Sequence, residues 1–300
     1  MPGSPQLVLT VDRSGRGDHR TIQDAIDAAP ADTAGGSVVV IRIKPGEEKV
    51  VVGKPRISLV GTNAGSTVVT WNESSSVVAA SAASPSSTVS VLASDFIAKR
   101  LTFQNTIGSS GPAVTVRVAG DRAAFYGCRF VSSQDTLLDD TGRHYYRGCY
   151  VEGATDLICG NGKALFDKCH LHSTSPVGGA GAFTAHRRSS ESEDTGFSFV
   201  GCRLTGLGVA TSILGRPRGP CSRVVFALSY MSSTVSPEGW DDDCSDPAKR
   251  RCRTAFYGQY QCYGEGSKTD GRVAWSRDLS QAEAAPFITK VWVGGQEWLR

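Results

Sequence analysis

The chain reads as an all-β solenoid, and three observations predict it. Glycine is abundant at 34 of 300 residues, methionine is scarce at 2, and Val, Thr and Ser are plentiful. That composition suits short strands joined by tight corners. Four segments repeat one pattern: Phe125-Tyr126-Gly127-Cys128-Arg129-Phe130, Tyr146-Arg147-Gly148-Cys149-Tyr150-Val151, Phe166-Asp167-Lys168-Cys169-His170-Leu171 and Phe199-Val200-Gly201-Cys202-Arg203-Leu204. Each places an aromatic three residues before the Cys and an apolar residue two after it. The Cys-to-Cys steps are 21, 20 and 33 residues. Repeats of about 20 residues built from short alternating strands are the signature of stacked coils.

From the N-terminus, Thr21 to Pro30 is the clearest helix. Ile22, Ala25, Ile26 and Ala29 form one stripe, Thr21 can cap, and Pro30 ends it. Such a helix is placed to cover the open apolar end of a solenoid. Arg100-Leu101-Thr102-Phe103 extends the repeat upstream, with Leu101 in the Cys place. On successive coils Cys128, Cys149 and Cys169 form an inward column, packed as small apolar groups. The 33-residue step implies an inserted loop, placed at Ser173 to Ala182. Asp241 to Arg253 reads as an exposed excursion that Cys244 and Cys252 could close. The tail from about 265 to 300 lacks the repeat but carries Trp275, Phe287, Trp292 and Trp298, so it is expected to pack on the outside. Residues 1–300 are read as a single domain and a monomer.

The same sequence excludes several classes. No run of 18 apolar residues exists, so no membrane span is read. Met1 to Asp12 shows no basic stretch followed by an apolar one, so no signal peptide is read there. The net charge, 32 − 29 = +3, is too small and scattered to indicate nucleic acid. Nine Cys without a CxxC pair argue against a zinc ribbon. His19, His144, His170, His172 and His186 are dispersed. His170 and His172 share a strand face without an apparent third ligand, so no metal and no cofactor are expected. No Gly-x-Ser-x-Gly elbow supports a serine triad.

Asp135 lies seven residues after Cys128, and Asp156 seven after Cys149. Equal offsets on successive coils put the two carboxylates side by side if the turns match. Close carboxylates do not both ionise cheaply, so one becomes a protonated acid and the other an anionic base or nucleophile. That pair suits acyl transfer or hydrolysis; capping of turns is the plainer role for Asp at such places. Gln134 could donate to an oxyanion, and Arg216 has a side chain suited to gripping a carboxylate.

The sequence resembles the plant pectin methylesterases, the pectinesterases, from about Gly17 to Leu299. The resemblance rests on Thr21-Ile22-Gln23-Asp24-Ala25-Ile26-Asp27-Ala28-Ala29-Pro30, Leu101-Thr102-Phe103-Gln104-Asn105-Thr106, Gly120-Asp121-Arg122-Ala123-Ala124-Phe125-Tyr126, Gln134-Asp135-Thr136-Leu137, Cys149-Tyr150-Val151-Glu152-Gly153, Asp156-Leu157-Ile158-Cys159-Gly160-Asn161, Leu214-Gly215-Arg216-Pro217 and Pro237-Glu238-Gly239-Trp240. It implies a right-handed single-stranded parallel β-helix and a secreted cell-wall enzyme. Such enzymes hydrolyse the methyl ester of galacturonate in pectin to pectate and methanol, without a cofactor. It also suggests a proteinaceous inhibitor as partner. By resemblance, Asp156 is the nucleophile, Asp135 the acid and base, Gln134 an oxyanion donor, and Arg216 the residue that orients Asp156.

The chain departs from the family in several places. Pro112 stands where a second oxyanion Gln is usual. Arg218 replaces an aromatic platform, and Asp156-Leu157-Ile158-Cys159-Gly160 and Ala185-His186-Arg187-Arg188 also differ. The shortened Gly46-Glu47-Glu48-Lys49-Val50 lacks the usual Tyr. Arg218, Phe183 and Arg188 are the candidate substrate-binding residues. Pro112 and Arg218 leave a second reading open, a pectin-binding β-helix with little turnover. A polygalacturonase, hinted at by Arg42-Ile43-Lys44 and Asp139-Asp140, has these motifs in the wrong chain order and lacks their companions.

Overall fold

A computed structural model of the chain describes residues 6–31, 37–74, 87–108, 111–241 and 254–299. The backbone winds into coils of three short strands, and like strands of successive coils pair in parallel into sheets of eleven, eight and six strands. One coil runs through Ala123–Tyr126, Arg129–Val131 and Leu137–Asp139, and the next begins at Arg143–Arg147. This is a parallel β-helix, as predicted.

The repeat motif is the register of the coil. Phe125, Tyr146, Phe166, Phe199 and Phe226 pair in order along the eleven-stranded sheet. Their rings stack inside the coil with centroids 4.9, 4.5, 4.6 and 4.4 Å apart. After each of these strands the chain turns a corner in the left-handed region, at Gly127, Gly148, Lys168 and Gly201 among others. Glycine takes that conformation without strain, which accounts for Gly-Cys in three of the repeats. The next residue points inward. Cys149, Cys169 and Cys202 each donate Sγ–H to the carbonyl of the preceding coil's aromatic, at 3.4, 3.5 and 3.3 Å. Cys262 does the same to Phe226 at 3.4 Å, although Gln259 replaces its aromatic. All seven described cysteines are free thiols, and Cys244 and Cys252 lie outside the described residues.

The ends are closed as the pattern requires. The helix Ile22–Ala28 is capped by Thr21, whose hydroxyl accepts from the Asp24 amide. It buries Ile22, Ala25 and Ile26 in the core at the first coil. The Glu48 carboxylate accepts from the amides of Ile22 and Gln23 at 2.8 and 2.7 Å, a second cap that the sequence did not announce. Phe287 and Trp292 of the tail pack on the outer face of the long sheet, over Ala124, Tyr145, Leu165 and Val225. The Trp292 indole N–H donates to the Ala164 carbonyl at 3.1 Å. Trp275 instead joins the end of the core beside Tyr257. Among the described residues no helix is long and apolar enough to cross a membrane.

The 33-residue step contains two insertions. Tyr150 pairs with His170, an offset of 20; Ile158 with Thr184, an offset of 26; and Lys163 with Gly196, an offset of 33. Six extra residues therefore precede Thr184, within the expected Ser173–Ala182 stretch, and seven more follow His186.

Candidate active site

The six-stranded sheet carries the site. Its strands alternate, so Val116, Val118, Leu137 and Ile158 face the core. Arg117, Leu138, Cys159 and Ala185 occupy one outward row in register. Asp135 and Asp156 stand at the corner that feeds this sheet. Gln134 bridges to Thr155, and Leu137 pairs with Ile158, so Asp135 lies opposite Asp156 on adjacent coils. Adjacent rungs are about 4.8 Å apart. Both residues are in the left-handed region, with φ of 53° and 49°. That conformation costs a non-glycine residue roughly 1–2 kcal/mol. Two successive corners thus keep a carboxylate where glycine would be easier.

The two carboxylates sit in different fields. Asp156 is 3% exposed. Arg216 grips it bidentately, Nε to Oδ1 at 2.7 Å and a terminal nitrogen to Oδ2 at 2.8 Å. The same terminal nitrogen reaches the Thr155 hydroxyl at 3.2 Å. Arg218 adds a third bond to Oδ2, at 2.9 Å. Asp135 has no such partner among the described residues. Burial, then the neighbouring Asp156 charge, push its carboxyl up to about 6, against the pull of Arg218, Arg216 and Arg187. One partner is thus an ion-paired carboxylate and the other an acid poised near neutrality. The side-chain amide of Gln134, immediately before Asp135, is uncommitted among the described residues, while its carbonyl accepts from the Ala113 amide at 2.9 Å.

Gln134, Asp135, Asp156, Arg216 and Arg218 are therefore brought together. Phe183 and Arg188 are not. Phe183 is wholly buried in the core and offers no ring to a polymer. Arg188 is 9% exposed, and its guanidinium is spent on the carbonyls of Glu193, Cys221 and Glu191. It braces the inserted loop after His186. Its neighbour Arg187 is exposed, and its charge bears on both Asp135 and Cys159. The two arginines lie just past the strand Thr184–His186, one turned to solvent and the other into the loop. Pro112 lacks an N–H, and its carbonyl accepts from the Ser74 hydroxyl at 3.2 Å.

The histidines lie away from this corner. His144 is fully buried between Asp139 and the Gly120 carbonyl. His186 packs edge-on to Phe197. His170 and His172 both meet the Thr205 hydroxyl at 2.7 Å. Among the described residues no group of three His, Cys, Asp or Glu side chains is placed to hold a metal.

Comparison with known proteins identifies the fold and the family. The family model described as Pectinesterase matches residues 8–296. The Arabidopsis thaliana protein named Putative pectinesterase 11 is 46% identical over 99% of this chain and 82% of its own length. The solved pectin methylesterase from carrot superposes with a TM-score of 0.88 at 31% identity, covering 100% of this chain and 96% of that one. A pectin methylesterase solved in complex with a hexasaccharide superposes with a TM-score of 0.77 at 26% identity, covering 95% of this chain and 96% of its own. A parallel β-helix with this corner of paired carboxylates, matched along nearly its whole length, places the chain in the pectinesterase family.

Proposed function

We propose that the protein hydrolyses methyl esters of galacturonate units in pectin at the Asp135–Asp156 corner. The observation that carries the proposal is the pairing of these two carboxyls across adjacent coils in unlike environments. An Asp156 oxygen attacks the ester carbonyl, and the carbonyl oxygen becomes an oxyanion to which the Gln134 amide donates. As the tetrahedral centre collapses, the C–O bond to methoxide breaks and Asp135 delivers its proton, releasing methanol. The acyl group is then held on Asp156 as an anhydride. Asp135, now ionised, takes a proton from water while the water oxygen attacks the acyl carbon. The uronic acid leaves and gives its remaining proton to solvent, Asp156 is restored as a carboxylate, and Asp135 is again protonated. Oδ1 of Asp156 accepts only one bond from Arg216, so it keeps a lone pair for attack.

The substrate is methylesterified pectin, and the place of action is the plant cell wall. A relative with the same fold is solved with a hexasaccharide bound, and the plant relatives are named as pectinesterases. Turnover is limited by Pro112, which supplies no donor. Loss of one oxyanion donor typically costs 10²–10³ in rate. Methanol release from highly methylated pectin tests the reading. Asp156→Asn is expected to lose at least 10³-fold in rate, and Pro112→Gln to gain tenfold or more. An unchanged rate in Asp156→Asn sinks the mechanism. The third bond on Asp156, from Arg218, favours a second reading in which the site binds pectin with little turnover. Polymer binding by a wild type that releases no methanol would select it.

A further inference from the structure

A cationic groove lies away from the paired carboxylates, on the outer face of the eleven-stranded sheet near its first coils. Its cavity of about 610 Å³ is lined by Arg16, Arg42, Lys44 and Arg100, over a floor that includes Val40 and Val60. The one carboxylate in the lining, Asp12, already pairs with Lys44 at 2.6 Å. Asp18, beside the rim, is turned onto Thr10. Among the described residues Arg16 donates only to the Ser14 hydroxyl and Arg100 only to the Gly61 carbonyl, so both keep spare N–H groups there. Arg42 has no partner among the described residues and is exposed.

The strand register extends the groove into a ladder. Arg42 pairs with Val60, Val60 with Lys99, Lys99 with Tyr126, and Tyr126 with Arg147. Cation, apolar side chain, cation, aromatic and cation thus alternate on one outward column. Two rungs separate successive cations, about 10 Å. Lys99 and Arg147 are exposed, Arg147 with its Nε 3.8 Å from the Asp167 carboxylate on the next rung, and the Lys99 ammonium lies 5.6 Å from the Tyr126 ring centre. Among the described residues the tail cluster packs on the sheet from Ala124 onward, touching Tyr126 at its edge, and leaves the coils before it uncovered.

We propose that this groove and ladder form a second polysaccharide site, which binds a stretch of polygalacturonate already freed of its methyl esters. Resting on the proposed esterase reaction, the assignment makes the ligand that reaction's product. A polyuronide carries a carboxylate on every ring, for the cations, and apolar C–H faces between them, for Val60 and Tyr126. Methylated pectin lacks the charge, so the site discriminates against substrate. Bound there, the product holds the protein on a partly processed polymer while the paired carboxylates work elsewhere on it.

Titration calorimetry with a fully de-esterified oligogalacturonate spanning five rungs, about 20 Å, tests the site. Wild type is expected to bind it, more weakly as salt rises. Arg42→Glu with Lys99→Glu weakens this binding about tenfold, while methanol release from a short methylated oligomer stays at the wild-type rate, which also reports correct folding. Arg42→Lys with Lys99→Arg retains binding. An isotherm unchanged by charge reversal overturns the proposal. Equal binding of dextran sulfate of matched length also overturns it, because charge alone would then suffice. Wild type that binds the oligogalacturonate through Arg42 and Lys99 but releases no methanol would sink the esterase reading alone.

Discussion

The raised pKa of Asp135 makes the proposed reaction pH-dependent in a calculable way. Attack by Asp156 succeeds only if Asp135 still holds the proton that methanol will carry away. Burial and the Asp156 charge place that proton's release at about pH 6. The protonated fraction is then about one-half at pH 6, about one-eleventh at pH 7 and about one-hundredth at pH 8. The kcat/KM for methanol release, which reports the free enzyme, should fall along that curve at constant ionic strength. Replacing Asp135 by Asn keeps the size of the side chain but removes the transferable proton. General acid–base help contributes about 10²–10⁴, so kcat/KM at pH 6 should drop by that factor and the basic limb should disappear. The assay is methanol release from methylated oligogalacturonates between pH 4.5 and 9. An Asp135→Asn enzyme with more than a tenth of wild-type activity, or with the wild-type basic limb intact, would refute the assignment.

Two further outcomes concern stability. Phe166 is wholly buried between Tyr146 and Phe199 in the ring stack. Phe166→Ala should cost about 3–5 kcal/mol, which for 300 residues lowers the melting temperature by roughly 5–8 °C in calorimetry; a shift below 2 °C would contradict the stacked core. His144 is buried with both ring nitrogens facing acceptors. Burial lowers its tendency to hold a proton, but Asp139 and the Gly120 carbonyl outweigh this and raise its pKa above 6.5. A raised pKa means stabilisation that is full below 6.5 and lost as pH climbs through the folded-state value. The stability gap between wild type and His144→Gln, from urea melts, should therefore narrow from pH 5 to pH 9; a gap that widens would show that the imidazole is neutral.

The coil was legible because its parts are local. An aromatic, a left-handed corner and an inward Cys fit within four residues, so each rung writes its own signature. Asp135 and Asp156 were legible for the same reason, since both are counted from their own Cys across unbroken turns. Legibility ended at the 33-residue step. Two insertions of six and seven residues interrupt the count after Cys169, and spacing alone could not divide them. Phe183 and Arg188 fall there, and both are buried where exposed roles were expected. Arg187, one residue from Arg188, is the member of that pair whose charge reaches Asp135, alongside Arg218 and Arg216. The grip of Arg218 on Asp156 spans 62 residues, a contact that no local pattern encodes. Cys262 escaped notice because Gln259 breaks the aromatic half of its motif.

The thiol column bears on how the molecule survives damage. Cys128, Cys149, Cys169 and Cys202 follow one another on neighbouring coils, with α-carbons about 4.8 Å apart, inside the separation at which sulfurs bridge. All four are free thiols buried inside the coil. A denatured molecule would expose all of them at once, and air would crosslink rungs in the wrong pairs. Recovery after heating should therefore depend on a reductant being present, even for a protein whose native form needs no bridge among these four.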